Sequence, residues 1–324
     1  MSGVTIPVVD VSGLQGSPEQ RRDVGSSIIE AYSAWGFSYL IGHPIDALLI
    51  EEVFEQSRQF HALPLSTKLA YCVGRDHRGY IPMKSSTDVA SSIEQASKPN
   101  MSESFMIMRE FAAGSDEVSQ GQYLAGPNRW PGELPAFQST MLAYQQSMWS
   151  LATDLMAVIG EALDDDGVFT QAFASPTTWL RLLHYPPQDP EAPADEYGSA
   201  PHTDFGAITL LAQDDVGGLS VRTPQGDWVD VPPMQGAFVM NVGDMLHRWS
   251  NGLLKSTPHR VTNRTGRERY SVPFFFDPSV RTIIEPLASC ITATTPSQFE
   301  PLLFEDFLRN QLEASYLNHQ GEES

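Results

Sequence analysis

The sequence predicts a mainly β protein with flanking helices: a double-sheet core of the jelly-roll kind, braced by helices that precede it. Three observations lead there. After Ser175 the chain breaks into short apolar runs between Gly, Pro and Asp turns, the texture of an all-β double sheet. Before Ser175 the apolar residues recur mainly at helical spacing. The chain is 41% hydrophobic and 10% aromatic, ample for a buried core, with no internal repeat.

Taken in order, Ile6 to Val11 reads as a short strand. Ser17-Pro18-Glu19-Gln20 starts a helix, with Ser17 as cap, Pro18 in the first turn and Gln20 completing a capping box. Val24, Ile28 and Tyr32 continue it at helical spacing. Phe37 to Ile41 is a second strand, and Asp46 to Ala62 a second helix that stops before Pro64. Gly74 to Gly126, rich in Ser, Gly and Pro, reads as irregular. A long helix follows from Pro135 to Leu163, closed by Asp164-Asp165-Asp166-Gly167. Strands are then expected at Trp179 to Tyr185, Ala207 to Gln213, Leu219 to Thr223, Asp227 to Val231, Ala237 to Val242, His259 to Asn263 and Tyr270 to Phe276. An amphipathic helix from Phe299 to Tyr316 comes last. The 324 residues read as one domain. Its parts are a mostly helical region over about 1–174, a β core over about 175–280, and a C-terminal segment and helix over about 281–324.

The formal charge is −20, so a phosphate backbone or an anionic lipid surface is a poor partner. An anionic small molecule would need a specific local cation. The only cysteines are Cys72 and Cys290, too few for a secreted disulfide scaffold. Met1 to Asp10 shows no basic segment followed by an apolar one, and no run approaches roughly 18 apolar residues. A cytoplasmic location is expected; the oligomeric state is not legible.

His202-Thr203-Asp204 is the first chemical anchor. Residues two apart on an extended segment point to the same side, so an imidazole and a carboxylate can reach one point. His259 opens a later strand. Two histidines and a carboxylate form the facial set that holds non-haem Fe(II) and leaves positions open. Alone, His-x-Asp fits a satisfied polar pair on a strand better than a metal site. The second anchor is Arg269-Tyr270-Ser271. Period-two alternation puts Arg269, Ser271 and Phe275 on one face. An inward arginine needs an anion, and the far carboxylate of a small diacid suits its paired donors, with the Ser271 hydroxyl beside it. Taken alone, Arg269 also fits a salt bridge to Glu268 or Asp277.

These residues carry a resemblance. Arg181-Leu182-Leu183-His184-Tyr185-Pro186-Pro187, Pro201-His202-Thr203-Asp204-Phe205-Gly206 and Asn241-Val242-Gly243-Asp244-Met245 stand in order. Trp249-Ser250-Asn251-Gly252, Ser256-Thr257-Pro258-His259-Arg260-Val261 and Arg269-Tyr270-Ser271-Val272-Pro273-Phe274-Phe275 follow. Together they resemble the isopenicillin N synthase-like family of Fe(II)/2-oxoglutarate oxygenases. Ile6 to Asp10, Trp35-Gly36-Phe37, Phe60 to Pro64 and His77-Arg78-Gly79-Tyr80 extend the likeness over nearly the whole chain. The resemblance implies a distorted double-stranded β-helix with iron in its mouth and a catalytic role for 175–280. It implies His202, Asp204 and His259 as iron ligands, and Arg269 and Ser271 on the far carboxylate of 2-oxoglutarate, with Tyr185 also contacting it. It further implies O₂ as oxidant, ascorbate as a stimulant, and succinate and CO₂ as co-products of hydroxylation, desaturation or ring formation. Plant members usually carry Asn where Leu183 stands, so this chain lacks one polar contact near the co-substrate.

His43, His61 and His77 are expected to be structural or surface residues, His184 to face away from Tyr185, and His247 to support the site from behind or to be structural; His319 lies in the tail. Phe275, Leu211 and the 74–110 stretch, with Met101, Met106 and Met108, are candidate walls for a small organic substrate. Phe304, Phe307 and Leu308 are placed to cap the opening. Two rival readings share these residues: an Fe(II) oxidase of the same family that does without 2-oxoglutarate, and a small-ligand binding protein without turnover.

Overall fold

The computed structural model describes residues 5–74, 76–86 and 98–316. The strands are β1 (Val8–Asp10), β2 (Phe37–Ile41), β3 (Gly79–Ile81), β4 (Glu103–Met108), β5 (Thr177–Tyr185), β6 (Ser199–His202), β7 (Ile208–Gln213), β8 (Leu219–Arg222), β9 (Trp228–Asp230), β10 (Phe238–Val242), β11 (His259–Val261), β12 (Arg269–Asp277), β13 (Ile283–Ile284) and β14 (Leu302–Leu303). The helices are α1 (Pro18–Ala34), α2 (Ala47–His61), α3 (Leu65–Leu69), α4 (Asp116–Ser119), α5 (Phe137–Leu163), α6 (Val168–Ala172), α7 (Asp244–Trp249) and α8 (Phe304–Tyr316). None, among the described residues, is long and apolar enough to cross a membrane.

Local signals account for the helices. Ser17 N–H donates to Gln20 Oε1 at 2.8 Å while Gln20 N–H donates to Ser17 Oγ at 3.3 Å, the expected capping box. Asp46 caps α2 through Leu48 N–H. Asp164, at φ 51°, ends α5 in the left-handed conformation that aspartate tolerates. α1, α2 and α5 pack together and onto the outer face of the larger sheet.

That sheet runs β1-β2-β10-β7-β12-β5-β4-β3, opposed by a smaller sheet in the order β6-β11-β8-β9. Alternation divides each strand. On β5, Leu180 and Leu182 join the core beneath the helices, while Leu183 and Tyr185 join a second core between the sheets with Val221 and Val261. On β12, Val272, Phe274 and Phe276 face the helices. Arg269, Ser271 and Phe275 therefore face inward, as alternation predicts.

Three regions depart from expectation. The 74–126 stretch was expected to be irregular, yet it supplies β3 and β4 to the larger sheet. β4 is buried along nearly its whole length, so no polar–apolar alternation marks it. β6, which carries His202, is short and contains Pro201. α8 starts at Phe304 because Leu302 and Leu303, just after Pro301, pair with Ile283 and Ile284. Residues 87–97 of the candidate wall stretch, and His319, lie outside the described residues.

Candidate metal centre

β6 and β11 are antiparallel neighbours, and His202 and His259 are direct register partners. Their rings stand side by side with centroids 4.3 Å apart. Asp204 follows two residues after the end of β6. One ligand-type atom from each of the three residues lies within 4.8 Å of the others. Both Nε2 atoms are 3.8 Å from Asp204 Oδ1.

The surroundings decide which atoms face inward. His202 Nδ1 is 2.7 Å from Ala200 O, and His259 Nδ1 is 3.3 Å from Thr257 O. A carbonyl can only accept, so each Nδ1 carries the proton and each Nε2 the lone pair. Asp204 Oδ2 accepts the Thr209 hydroxyl and, at 2.7 Å, the Asn241 side-chain amide. Thr209 and Asn241 are register partners on β7 and β10. Oδ1 is thereby turned toward the histidines. Burial would raise the Asp204 carboxyl, but His259, His202 and these hydrogen bonds outweigh it and hold it below the ordinary carboxylate value. Two imidazole nitrogens and one carboxylate oxygen on one side of a point, without thiolate, suit Fe(II) with positions left open.

The turn after Asp204 is gripped from two sides. Asp244 N–H donates to Asp204 O and Met245 N–H to Gly206 O, each at 2.8 Å. On the other side Asp277 Oδ1 accepts Ala207 N–H at 3.1 Å. A Cβ on Gly206 would fall 1.4 Å from Asp277 Oδ1, so only glycine fits there.

Arg269 is 0% exposed. Its Nε donates to Gly217 O at 2.5 Å, Nη1 to Ser271 Oγ at 3.3 Å and Nη2 to Gln213 Oε1 at 3.3 Å. Among the described residues no carboxylate forms an ion pair with it. Glu268 instead meets His184 on the outer face, and Asp277 meets Trp179 Nε1 at 3.1 Å and Ala207. Asp214 accepts from Tyr270 N–H and Val216 N–H. The salt bridges to Glu268 or Asp277 that the sequence left open are absent.

A cavity of about 160 Å³ opens beside the triad, with Trp179, Phe275, Phe205 and Met106 among its walls. Leu308 and Leu312 of α8 cover it, and Phe307 meets Phe205 edge-on at 6.3 Å. Leu211, another of the candidate walls, packs instead against the core between the sheets. His184 faces outward as expected, and His247 Nδ1 is 2.6 Å from Leu254 O, a structural contact.

Residues 176–278 match the family described as 2OG-Fe(II) oxygenase superfamily, and residues 6–133 match non-haem dioxygenase in morphine synthesis N-terminal. The chain is 34% identical over 329 residues to the 2-oxoglutarate-Fe(II) type oxidoreductase hxnY of Emericella nidulans, covering 98% of this chain and 92% of that relative. This chain belongs to the Fe(II)/2-oxoglutarate oxygenase family. The oxygenase is also 36% identical to the 2-oxoglutarate-dependent dioxygenase citB of Monascus ruber, over 88% of each chain. Its fold matches a full-length Neurospora crassa protein, crystallised with alpha-KG and thymine, at a TM-score of 0.83 and 29% identity, covering 96% of this chain and 97% of that one. As a member of the family the oxygenase works with Fe(II) and 2-oxoglutarate.

Sequence reading missed Thr209 as a partner of Asp204, and it met Asn241 only inside a motif. Their shared target depends on register between strands distant in sequence, which local pattern does not encode.

Proposed function

We propose that His202, Asp204 and His259 hold Fe(II), and that Arg269 with Ser271 receives the C5 carboxylate of 2-oxoglutarate over the Tyr185 ring. We further propose that a small organic molecule in the adjoining cavity is oxidised at a C–H bond. The observation that carries this reading is the pairing of a converged His-Asp-His set with a buried guanidinium that no described carboxylate neutralises. When bound, iron with 2-oxoglutarate would supply the electrons that reduce O₂ to an oxidant able to attack a C–H bond. The chain's own residues do the rest. The carbonyls of Ala200 and Thr257 fix the imidazole tautomers, and Thr209 and Asn241 hold the Asp204 carboxylate in one rotation. Arg269 fixes the co-substrate's far end, and α8 with the aromatic walls keeps water from the reacting carbon. The packing of α1, α2 and α5 on the larger sheet supports reading residues 1–324 as one catalytic unit. The Neurospora crassa complex with thymine supports a small-molecule substrate.

The test is twofold. Succinate release should depend on Fe(II), O₂ and 2-oxoglutarate, with ascorbate stimulating it. 2-Oxoglutarate with Mn(II) should raise the melting temperature, since a ligand at a hundredfold excess over Kd adds about 2.7 kcal/mol. No shift with metal occupancy confirmed would favour an oxidase that does not bind 2-oxoglutarate.

A further inference from the structure

The inner face of β5 and β12 is a ladder of register pairs. From the co-substrate end it runs Tyr185 with Arg269, Leu183 with Ser271, then Arg181, then Trp179 with Phe275. Arg181 stands four positions along β5 from Tyr185, on the order of 13 Å at about 3.3 Å per residue. That is farther than 2-oxoglutarate reaches from Arg269, and Leu183 separates the two arginines with an apolar side chain. Arg181 therefore serves something other than the co-substrate's far carboxylate.

Its surroundings say what. Arg181 lines the cavity that also contains His202 and Asp204. Its Nε donates to Ser104 Oγ at 2.9 Å, which fixes the guanidinium plane. Among the described residues no acceptor meets its terminal nitrogens and no carboxylate pairs with it. Among the described residues of the cavity wall, Asp277 is the acid besides Asp204, and its two oxygens are engaged by Ala207 N–H and Trp179 Nε1–H. Beside Arg181 the wall carries three flat aromatic rings, Trp179, Phe275 and Phe205, and the thioether of Met106. The volume of about 160 Å³ is close to that of a cavity of about 150 Å³ known to accept a single benzene. In a chain of charge −20, a fixed cation with vacant donors is what an anionic ligand requires to enter at all.

We propose that the prime substrate is a small planar ring carboxylate, its carboxylate paired with the outer nitrogens of Arg181 and its ring between the Trp179–Phe275 pair and Met106. The proposal rests on the functional reading above and adds the substrate class. The carboxylate anchored at Arg181 sets which edge of the ring is turned toward the metal centre.

Calorimetry on the protein loaded with Mn(II) and saturating 2-oxoglutarate tests it, using benzoate and its uncharged isostere benzamide as probes. Wild type should bind benzoate roughly tenfold or more tighter than benzamide, the scale of one charge-assisted hydrogen-bond pair. Arg181→Met should remove that preference, and Arg181→Lys should keep part of it, because lysine retains the charge and loses the fork. Both variants should bind 2-oxoglutarate with wild-type affinity, which also verifies that they are folded. Equal affinity for the two probes on wild type, or a benzoate preference that survives Arg181→Met, would overturn the proposal while leaving the co-substrate reading standing. Failure of wild type to bind 2-oxoglutarate would remove the functional reading and this inference with it.

Discussion

The guanidinium of Arg269 lies 4.6 Å from the ring centre of Tyr185, its register partner across β12 and β5. The aromatic face, Gly217 O and Gln213 Oε1 hold the fork in one plane without cancelling its charge. Arg269→Lys keeps the charge and loses the planar pair of donors. One lost charged hydrogen bond costs about 1.5–3 kcal/mol, so the KM for 2-oxoglutarate should rise roughly tenfold to a hundredfold. Ser271→Ala removes a neutral donor and should cost about 1 kcal/mol. Steady-state kinetics checks the ordering. An unchanged 2-oxoglutarate KM with weakened prime-substrate binding would make Arg269 a substrate residue.

Replacing His202, Asp204 or His259 by alanine should abolish Mn(II) and Fe(II) binding and turnover. Cooperative melting should survive, since apolar packing on both faces of the larger sheet holds the core together. Metal titration with a melting curve on each variant separates the two effects. Stoichiometric metal and full activity in Asp204→Ala would exclude the assignment.

Asn241→Ala tests orientation rather than ligation. Asn241 is buried and its amide fixes one oxygen of Asp204. Losing such a supporting contact typically lowers metal affinity by roughly tenfold to a hundredfold. Competition with a chelating dye measures it, and activity should recover in part at saturating Fe(II). An affinity equal to wild type would mean that Thr209 alone orients the carboxylate.

What the sequence disclosed depends on how local the signal was. The capping box at Ser17 and the inward facing of Arg269, Ser271 and Phe275 are read within a few residues, and all stand in the structure. β4 escaped because burial along the strand erases alternation. Thr209 escaped because its meaning lies in pairing with Asn241. Arg181 was visible only as part of a motif. Its role emerges from the cavity formed when α8 returns over β5 and β12.

Acid stability provides the last test, through a buried cluster on the outer face of the larger sheet. Glu103 accepts from Lys68 Nζ at 2.7 Å, from Tyr80 OH and from His184 Nδ1 at 2.8 Å. His61 packs beside it, with Nδ1 2.8 Å from Ser57 O and its ring 5.3 Å from His184. Burial drives His61 down from 6.5 to about 3. Burial alone would raise Glu103, but the hydrogen bonds from His184, Lys68 and Tyr80 outweigh it and carry the carboxyl from 4.5 to about 2. Both folded values lie below the unfolded ones. The unfolded chain therefore takes up protons first as pH falls, and the stability present above the unfolded values is lost. For His61 the loss runs from pH 6.5 down toward 3, and for Glu103 from 4.5 down toward 2. A single such site contributes at most about 1.4 kcal/mol per pH unit. Urea unfolding between pH 7.5 and 4.5 should show wild type losing stability more steeply than His61→Asn, which keeps a donor near the Ser57 carbonyl and does not titrate, by roughly that slope. Glu103→Gln should be less stable than wild type at pH 7, with the difference shrinking below pH 4.5. Parallel curves for wild type and His61→Asn would mean that His61 takes up its proton in the folded protein as readily as in the unfolded chain.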